Sequence, residues 1–227
     1  RKTRRLLIGR YDNMAKGIVN RIIPFSCVDG PGNRTAIFLQ GCNFNCLYCH
    51  NPETINTCRN CGICVKSCPY QALSVVDDIV MWDKHQCQKC DLCLKSCPYD
   101  SSPKAIWMDT KEIVAEVNKV KSFLNGITVS GGECMLQTDL LFSLFTEIKK
   151  MGLTTFVDTN GSIPFWEYKE LLSVMDMAMV DVKAFDPMEH QKLTGRDNAI
   201  VLKNVEYLGK IGKLYEIRTV IVPDILN

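Results

Sequence analysis

Eleven of the thirteen cysteines in this 227-residue chain fall into three short groups. Grouped cysteines in a chain without signs of secretion more often bind metal than form disulfides, and an odd count also argues against full pairing. Cys27 and Cys134 stand apart. The three groups consist of Cys42, Cys46 and Cys49; of Cys58, Cys61, Cys64 and Cys68; and of Cys87, Cys90, Cys93 and Cys97.

The second and third groups are two copies of one motif, because each ends in Lys-Ser-Cys-Pro-Tyr, at residues 66–70 and 95–99. Their spacing, C-x2-C-x2-C-x3-C-P, is that of bacterial ferredoxins, in which the fourth cysteine of each loop ligates the other [4Fe–4S] cluster. A pair of zinc sites is the alternative, although zinc motifs rarely use this spacing twice. The expected ligand sets are Cys58, Cys61, Cys64 and Cys97 for one cluster, and Cys68, Cys87, Cys90 and Cys93 for the other.

The first group has the spacing C-x3-C-x2-C and no fourth cysteine nearby. Three thiolates on a four-iron cluster leave one iron open, and an open iron serves a catalytic cluster that binds a substrate. The alternative is a cluster completed by a distant residue, for which Cys27, His50 and Cys134 are the candidates.

This first motif, together with Val28-Asp29-Gly30-Pro31-Gly32 and Tyr48-Cys49-His50-Asn51, resembles the radical S-adenosylmethionine (SAM) superfamily. Within it, the motifs look like the branch of glycyl-radical enzyme activating enzymes, and the resemblance runs from about Met14 to the end of the chain. It implies that the catalytic Cys42, Cys46 and Cys49 hold a cluster whose open iron binds SAM.

The resemblance further implies reductive cleavage of SAM to methionine and a 5′-deoxyadenosyl radical, which removes a Cα hydrogen from a glycine of a partner enzyme. It implies three [4Fe–4S] clusters in all, and a flavodoxin or ferredoxin-type electron donor. A radical SAM enzyme acting on a small molecule and a plain iron–sulfur electron carrier are the alternative functions. A carrier would need neither an open iron nor the strand-end motifs described next.

Polar or glycine-rich motifs follow three predicted strands, and by the same resemblance they form the SAM pocket. Gly131, Gly132 and Glu133 resemble the motif that holds the methionine amino group, with Cys134 where the family commonly has proline. The other expected SAM contacts are Asp158 at the amino or ribose end, Lys183 at the carboxylate, the Tyr48 ring beside adenine and the His50 backbone.

Two further sets of residues come from the resemblance alone. Asp158, Thr159, Met179 and Asp181 are candidates for a monovalent cation, for which hard oxygen ligands are suitable. Asp29 and Arg218 are candidates for contact with the partner's glycine loop, although a surface salt bridge is the alternative role for Arg218.

Strands alternate with helices outside the second and third cysteine groups, which predicts parallel βαβ units. The expected strands are 35–40, 127–130, 154–158, 177–182 and 214–222, and the expected helices are 111–124, 138–150, 164–172 and 198–210. The predicted fold is a partial (β/α)6 TIM-like barrel with a ferredoxin-like module inserted after its first strand. Active sites of such barrels lie at the carboxyl ends of the strands.

The expected domains follow from this pattern. Residues 1–13 are interpreted as a leader or a vector-derived extension, 14–55 as the first part of the radical SAM core, 56–105 as the inserted module and 106–227 as the rest of the core. The family core has six strands and five are counted here, so we expect the carboxyl-terminal end of the barrel to be missing.

Composition limits the remaining possibilities. Hydrophobic residues make up 46% of the chain, enough for one sizeable core. The formal net charge of +2 offers no whole-molecule argument for binding nucleic acid. No apolar run approaches the roughly 20 residues of a membrane helix. We therefore expect a cytoplasmic monomer without nucleic-acid or membrane partners.

Overall fold

The computed structural model describes residues 15–221. The expectations for residues 1–13 and for the last residues of the chain lie outside this range. The strands are β1 (Lys16–Ser26), β2 (Arg34–Leu39), β3 (Leu73–Val76), β4 (Ile79–Trp82), β5 (Ile106–Asp109), β6 (Gly126–Gly131), β7 (Thr154–Thr159), β8 (Met177–Asp181) and β9 (Leu214–Arg218). The α-helices are α1 (Ile63–Lys66), α2 (Leu92–Lys95), α3 (Thr110–Asn118), α4 (Thr138–Lys150), α5 (Lys169–Val174), α6 (Pro187–Thr194) and α7 (Ala199–Lys210).

Seven strands form one sheet in the order β5-β1-β2-β6-β7-β8-β9. The strands from β2 to β9 in this order are parallel, as predicted, whereas β1 pairs antiparallel with both β2 and β5. The sequence analysis missed β1 and β5. Strand β5 is short and half-exposed, so its residues lack the apolar pattern of a buried strand. The result is a mixed α/β fold with a mostly parallel sheet.

The two faces of the parallel strands differ in chemistry because successive side chains point to opposite sides. One face carries aliphatic residues such as Ile37, Val129 and Val180, which pack with helical residues such as Leu144 into the main core. The opposite face carries polar residues that hydrogen-bond across strands, for example Ser130 to Asp158. The sheet therefore has an apolar face against the helices and a polar face available for a site.

The helices mostly begin where the sequence predicts. Helix α4 has the predicted bounds, and α3 begins with a capping box between Asp109 and Glu112. Two predicted helices are shorter than expected. The first ends at Asn118 and is followed by a 3-10 turn at Lys121–Phe123, and the second is divided into a 3-10 turn at Phe165–Glu167 and α5. Helix α6 was not predicted.

Residues 56–105 form a compact unit between β2 and β5. The β3–β4 hairpin packs against α1 and α2 around a small cluster made by Cys64, Leu73, Val80 and Cys93. Each of these helices is only four residues long and is followed by a Cys-Pro pair. So small an apolar cluster leaves this unit dependent on something besides a core.

No helix within residues 15–221 is long and apolar enough to cross a membrane.

Candidate functional site

A cavity lies at the carboxyl ends of β6, β7 and β8, on the side where parallel strands of an α/β protein commonly bind ligands. It encloses about 770 Å³ between its wall atoms, open solvent included. The wall brings together residues that are far apart in sequence. Its predicted members are Cys42, Cys46, Tyr48, Cys49, His50, Gly131, Gly132, Asp158, Thr159, Asp181 and Lys183.

The cysteine loop is fixed to its surroundings by backbone hydrogen bonds. The Cys42 N–H donates to Ile55 O at 2.8 Å, and the Cys49 N–H donates to Cys46 O at 3.1 Å. Burial raises the pKa of Cys42 to about 12 and also raises the pKa of Cys46 and Cys49. Thiols in such a place become thiolates when a metal binds them. Three such thiols on one short loop fit a cluster with one open iron.

The Gly131-Gly132 turn needs glycine because backbone packs against backbone there. Gly131 has a φ of +123°, and a Cβ on it would lie 2.2 Å from the Leu39 backbone. A Cβ on Gly132 would lie 2.2 Å from Gly41 O. The N–H of Glu133 donates to the same Gly41 oxygen at 2.7 Å. The turn is thus attached directly to the residue before Cys42.

Glu133 is held in place by hydrogen bonds within the protein. Its carboxylate is fully buried, is not part of the cavity wall, and accepts hydrogen bonds from the hydroxyl of Thr159 and the N–H groups of Met135 and Asn160, at 2.7 to 2.9 Å. It thereby ties the end of β7 to the Gly-Gly turn. Contact between this carboxylate and the SAM ammonium group stays a prediction, while the hydrogen bonds in the structure fix the end of β7 to the turn whose glycines line the cavity.

Asp158 lines the cavity and has one carboxylate oxygen without a hydrogen-bond partner. Its Oδ2 accepts from Ser130 Oγ at 3.0 Å and lies 3.4 Å from Nη1 of Arg218, whereas its buried Oδ1 has no partner. Burial, reinforced by the nearby Asp181, raises the pKa of Asp158 to about 6. A buried polar atom without a partner is costly, so it marks the place where a ligand would donate.

Lys183 and Tyr48 also line the cavity. Lys183 Nζ donates to Asp181 Oδ2 at 2.7 Å and lies 5.9 Å from the centre of the Tyr48 ring. Burial lowers the pKa of Lys183, but Asp181 outweighs it, and the pKa is raised overall. The Tyr48 hydroxyl is buried and has no partner. Lysine and tyrosine therefore line the same cavity as the three cysteines.

The four residues expected to hold a monovalent cation lie near one another. Asp158, Thr159 and Asp181 line the same cavity, and the Thr159 hydroxyl donates to Glu133. Met179 Sδ accepts from Nη2 of Arg218 at 3.0 Å, and the Arg218 guanidinium also contacts Asp158. The cation site at Asp158, Thr159, Met179 and Asp181 stays a prediction.

Asp29 and Arg218, the expected partner-loop residues, are brought to one place. Arg218 Nη2 donates to Val28 O at 3.3 Å, and the Thr128 hydroxyl donates to Asp29 O at 2.5 Å. Ser26 Oγ donates to the Asp29 carboxylate. The 27–33 loop thus lies against the polar face of the sheet, beside the Asp158 cavity.

Two polar residues of the site escaped the sequence analysis. Asn160 lies in the cavity wall, and its Nδ2 is 3.7 Å from Cys42 Sγ and 3.1 Å from Asn43 Oδ1. Arg34 is almost fully buried beneath the 27–33 loop. Their neighbours in the Asp-Thr-Asn-Gly and Asp-Gly-Pro-Gly segments were recognised, but an asparagine or an arginine alone carries no signal of burial.

Two smaller cavities lie in the 56–105 unit, and each is lined by four cysteines. One is lined by Cys58, Cys61, Cys64 and Cys97. The other is lined by Cys68, Cys87, Cys90 and Cys93. These are the two expected ligand sets, each with one cysteine from the other repeat.

Comparisons with known proteins identify the family of this chain. The profile described as the radical SAM superfamily matches residues 36–225. The chain is 32% identical over 220 residues to the pyruvate formate-lyase-activating enzyme of Streptococcus mutans, covering 93% of this chain and 67% of that protein. It is 34% identical over 215 residues to the (2S)-3-sulfopropanediol sulfolyase activating enzyme of Bilophila wadsworthia, covering 87% and 71%.

A third relative is the trans-4-hydroxy-L-proline dehydratase activating enzyme of Clostridioides difficile, 33% identical over 207 residues, covering 84% of this chain and 68% of that protein. Among solved structures, QueE from Escherichia coli matches with 12% identity and a TM-score of 0.45, covering 86% of this chain and 76% of that one. That structural likeness is too distant to indicate a function. The profile and the curated relatives show that this chain belongs to the radical SAM superfamily, among the glycyl-radical enzyme activating enzymes.

Proposed function

We propose that this protein uses SAM to place a radical on a glycine of a partner enzyme. The main support for this proposal is that one cavity is lined both by the three cysteines and by the expected SAM contacts. These residues are Cys42, Cys46, Cys49, Gly131, Gly132, Asp158 and Lys183. Membership in the superfamily brings a [4Fe–4S] cluster and SAM. One electron from a low-potential donor breaks the S–C5′ bond of SAM, which leaves methionine and a 5′-deoxyadenosyl radical. That radical takes a hydrogen atom from the glycine Cα and becomes 5′-deoxyadenosine.

The protein's own contribution is to hold the reactants in place and keep water out. We assign the three cysteines to the cluster and the fourth iron to SAM. The unpartnered Asp158 Oδ1 accepts from the SAM ammonium group, together with the Gly131-Gly132 backbone. Lys183 meets the carboxylate, and Tyr48 with the His50 backbone lies at the adenine. Each of these residues lines the same cavity, which supports the assignment.

The partner's glycine loop is assigned to the region of Asp29 and Arg218. Both residues are half-buried, and Arg218 contacts Asp158 on one side and the Val28 carbonyl on the other. A peptide bound there would lie beside the SAM cavity. This adjacency is what hydrogen transfer from a glycine Cα requires, because reacting atoms must be in near contact.

The 56–105 unit is assigned to two further [4Fe–4S] clusters, for a total of three. Each of its cavities contains one predicted set of four cysteines. The repeated C-x2-C-x2-C-x3-C-P spacing, with each cavity taking one cysteine from the other repeat, supports [4Fe–4S] clusters over zinc ions.

The same reasoning supports the proposed architecture. Residues 14–55 and 106–227 form the radical SAM core, and 56–105 form the ferredoxin-like insert. Strands β2, β6, β7, β8 and β9 follow one another in parallel, which supports a partial barrel. We propose a flavodoxin or ferredoxin-type donor and a cytoplasmic monomer, consistent with a small net charge.

Electron paramagnetic resonance (EPR) tests the function. Reduced protein, SAM and a candidate partner are mixed without oxygen, and a glycine-centred doublet is the expected result. Suitable partners include the enzymes named by the three relatives described above. The Cys46→Ala variant is the matched control and should give no doublet. Cleavage of SAM with a small substrate, together with no doublet from any partner, would contradict the proposal.

A further inference from the structure

The two four-cysteine sites of the 56–105 unit are alike in sequence but not in position. We infer that the site of Cys58, Cys61, Cys64 and Cys97, named here the inner site, adjoins the SAM cavity. The site of Cys68, Cys87, Cys90 and Cys93, named here the outer site, lies beyond it and receives electrons from the donor protein. This inference rests on the proposed function. It adds the order in which electrons pass the two sites, which the cysteine spacing alone does not give.

A short series of contacts joins the inner site to Cys42. Cys97 Sγ lies 3.3 Å from Ser101 Oγ, and the backbone of Ser101 forms a β-bridge with Asn56. The carbonyl of the preceding residue, Ile55, accepts from the Cys42 N–H at 2.8 Å. Only Ser101, Asn56 and Ile55 therefore separate a thiol of the inner site from a thiol of the SAM site.

Additional hydrogen bonds hold this junction together. Asn56 N–H donates to Asp100 O at 3.1 Å, and Asn56 Nδ2 donates to Tyr99 O at 3.0 Å. On the core side, Gln40 Nε2 donates to Asn56 O at 2.6 Å. The junction is thus bonded on both sides of Asn56, so the inner site is held at a constant place relative to β2.

The outer site has no comparable connection. Within the described part of the chain, no residue lining its cavity hydrogen-bonds Asn56 or Ile55, whereas Tyr99 and Ser101 of the inner-site wall both pair with Asn56. Its wall is instead completed by Tyr70, Trp82 and Lys104. Each site also has one exposed cysteine, Cys61 or Cys90, so exposure alone does not decide the order. The connection through Asn56 decides it.

The order gives electron transfer a direction. A donor that carries a low-potential flavin or iron–sulfur centre is oxidised by one electron. The electron enters at the outer site, passes to the inner site and reaches the Cys42 site, where SAM is reduced. Because electron transfer slows steeply with distance, a donor at the outer side uses the inner site as its intermediate.

The two sites can be distinguished chemically by one hydrogen-bond donor each. Ser101 Oγ lies beside Cys97 Sγ at the inner site. At the outer site, the buried indole N–H of Trp82 belongs to the cavity wall and lies beside Cys87. Hydrogen bonds to cluster sulfurs raise the reduction potential. Ser101→Ala should therefore lower the potential of one cluster, and Trp82→Phe that of the other.

These variants make the order measurable in the complete protein. Anaerobic redox titration followed by EPR assigns each signal by the variant that shifts it, and the SAM-site signal is the one that changes when SAM is added. Ser74→Ala and Trp107→Phe are the matched controls, since both side chains are exposed and line neither cavity. Both variants should leave all potentials unchanged.

The expected result is magnetic coupling between neighbours. Reduction of the cluster whose potential is lowered by Ser101→Ala should broaden the EPR signal of the SAM site. Reduction of the cluster whose potential is lowered by Trp82→Phe should leave that signal unchanged. Broadening by the Trp82 cluster, or by neither cluster, would overturn the inferred order. This measurement uses no partner enzyme. A correct order without any glycine doublet would therefore contradict only the proposed function.

Discussion

The guanidinium of Arg34 lies over the ring of Phe156, with Cζ 4.1 Å from the ring centroid, in the interior of the protein. Its nitrogens donate to Thr128 Oγ1 at 2.8 Å, Thr154 Oγ1 at 2.9 Å and Ile127 O at 2.5 Å, and also reach Pro31 O. Burial lowers the pKa of Arg34 to about 10, so the group remains charged at neutral pH. One side chain thus ties β2, β6 and β7 to the loop that carries Asp29.

Replacing Arg34 by lysine should destabilise the protein. An ammonium group cannot reach both Thr128 and Thr154, so buried acceptors lose their donors, and we expect a loss of about 2–4 kcal/mol in the free energy of unfolding. Urea unfolding at equal iron content measures this. The control is Arg21→Lys, whose exposed guanidinium lies over Phe38 and should cost less than about 1 kcal/mol. Equal losses would contradict the positioning role of Arg34.

Stability should fall with rising pH because of Glu133. Burial raises its pKa to about 7 in the folded protein, against 4.5 for the ordinary side chain. A raised acid pKa contributes stability that is fully present below the unfolded value and is lost as pH rises through the folded value. The loss between pH 6 and pH 8 should be about 1 kcal/mol.

Glu133→Gln tests this assignment because glutamine does not titrate. The variant should lose the part of the pH dependence that Glu133 causes, and it should be less stable throughout, since its amide cannot accept from the Asn160 N–H. Unfolding midpoints measured across that pH range give both effects. An unchanged pH dependence in the variant would assign the titration to another group.

Asp158→Asn should weaken SAM binding. Asp158 lines the cavity and its Oδ1 has no partner, and a charged hydrogen bond of about 1.5–3 kcal/mol corresponds to roughly 10–100-fold in affinity. Equilibrium dialysis of SAM against the oxidised protein measures this without turnover. Asp176→Asn is the control, because Asp176 contacts Lys149 and Thr155 away from the cavity. Similar affinities in the two variants would remove Asp158 from the SAM site.

Gly132→Ala should impair assembly of the SAM-site cluster. An added Cβ would meet Gly41 O at 2.2 Å, so the segment leading into Cys42 must move. The measurement is iron content together with the EPR signal that responds to SAM, and we expect that signal to be largely lost. Gly209→Ala in α7 is the control, since its Cβ would meet only Leu214 at 3.9 Å. It should bind iron normally and gain up to about 1 kcal/mol of stability.

The sequence alone was sufficient to predict those features that depend on residues close together in the chain. The spacing of cysteines, the parallel strands and helix α4 follow from periodicity and neighbouring residues. Strands β1 and β5 escaped prediction because both pair antiparallel at one end of the sheet, where a strand is stabilised by its pairing partners more than by its own pattern. One predicted helix ended early and another was divided by a 3-10 turn.

The candidate site likewise has features that the sequence predicts and features that only the fold determines. The sequence by itself determined which residues can carry chemistry: the three cysteine groups, the Gly-Gly turn, Asp158 and Lys183. Only the tertiary structure decided what each of them contacts. Glu133 is fully buried, Arg218 lies between Asp158 and Met179, and one four-cysteine site is joined to Cys42 through Asn56. Ligand type and spacing are covalent properties of the chain, whereas burial, partners and proximity arise only when distant segments pack together.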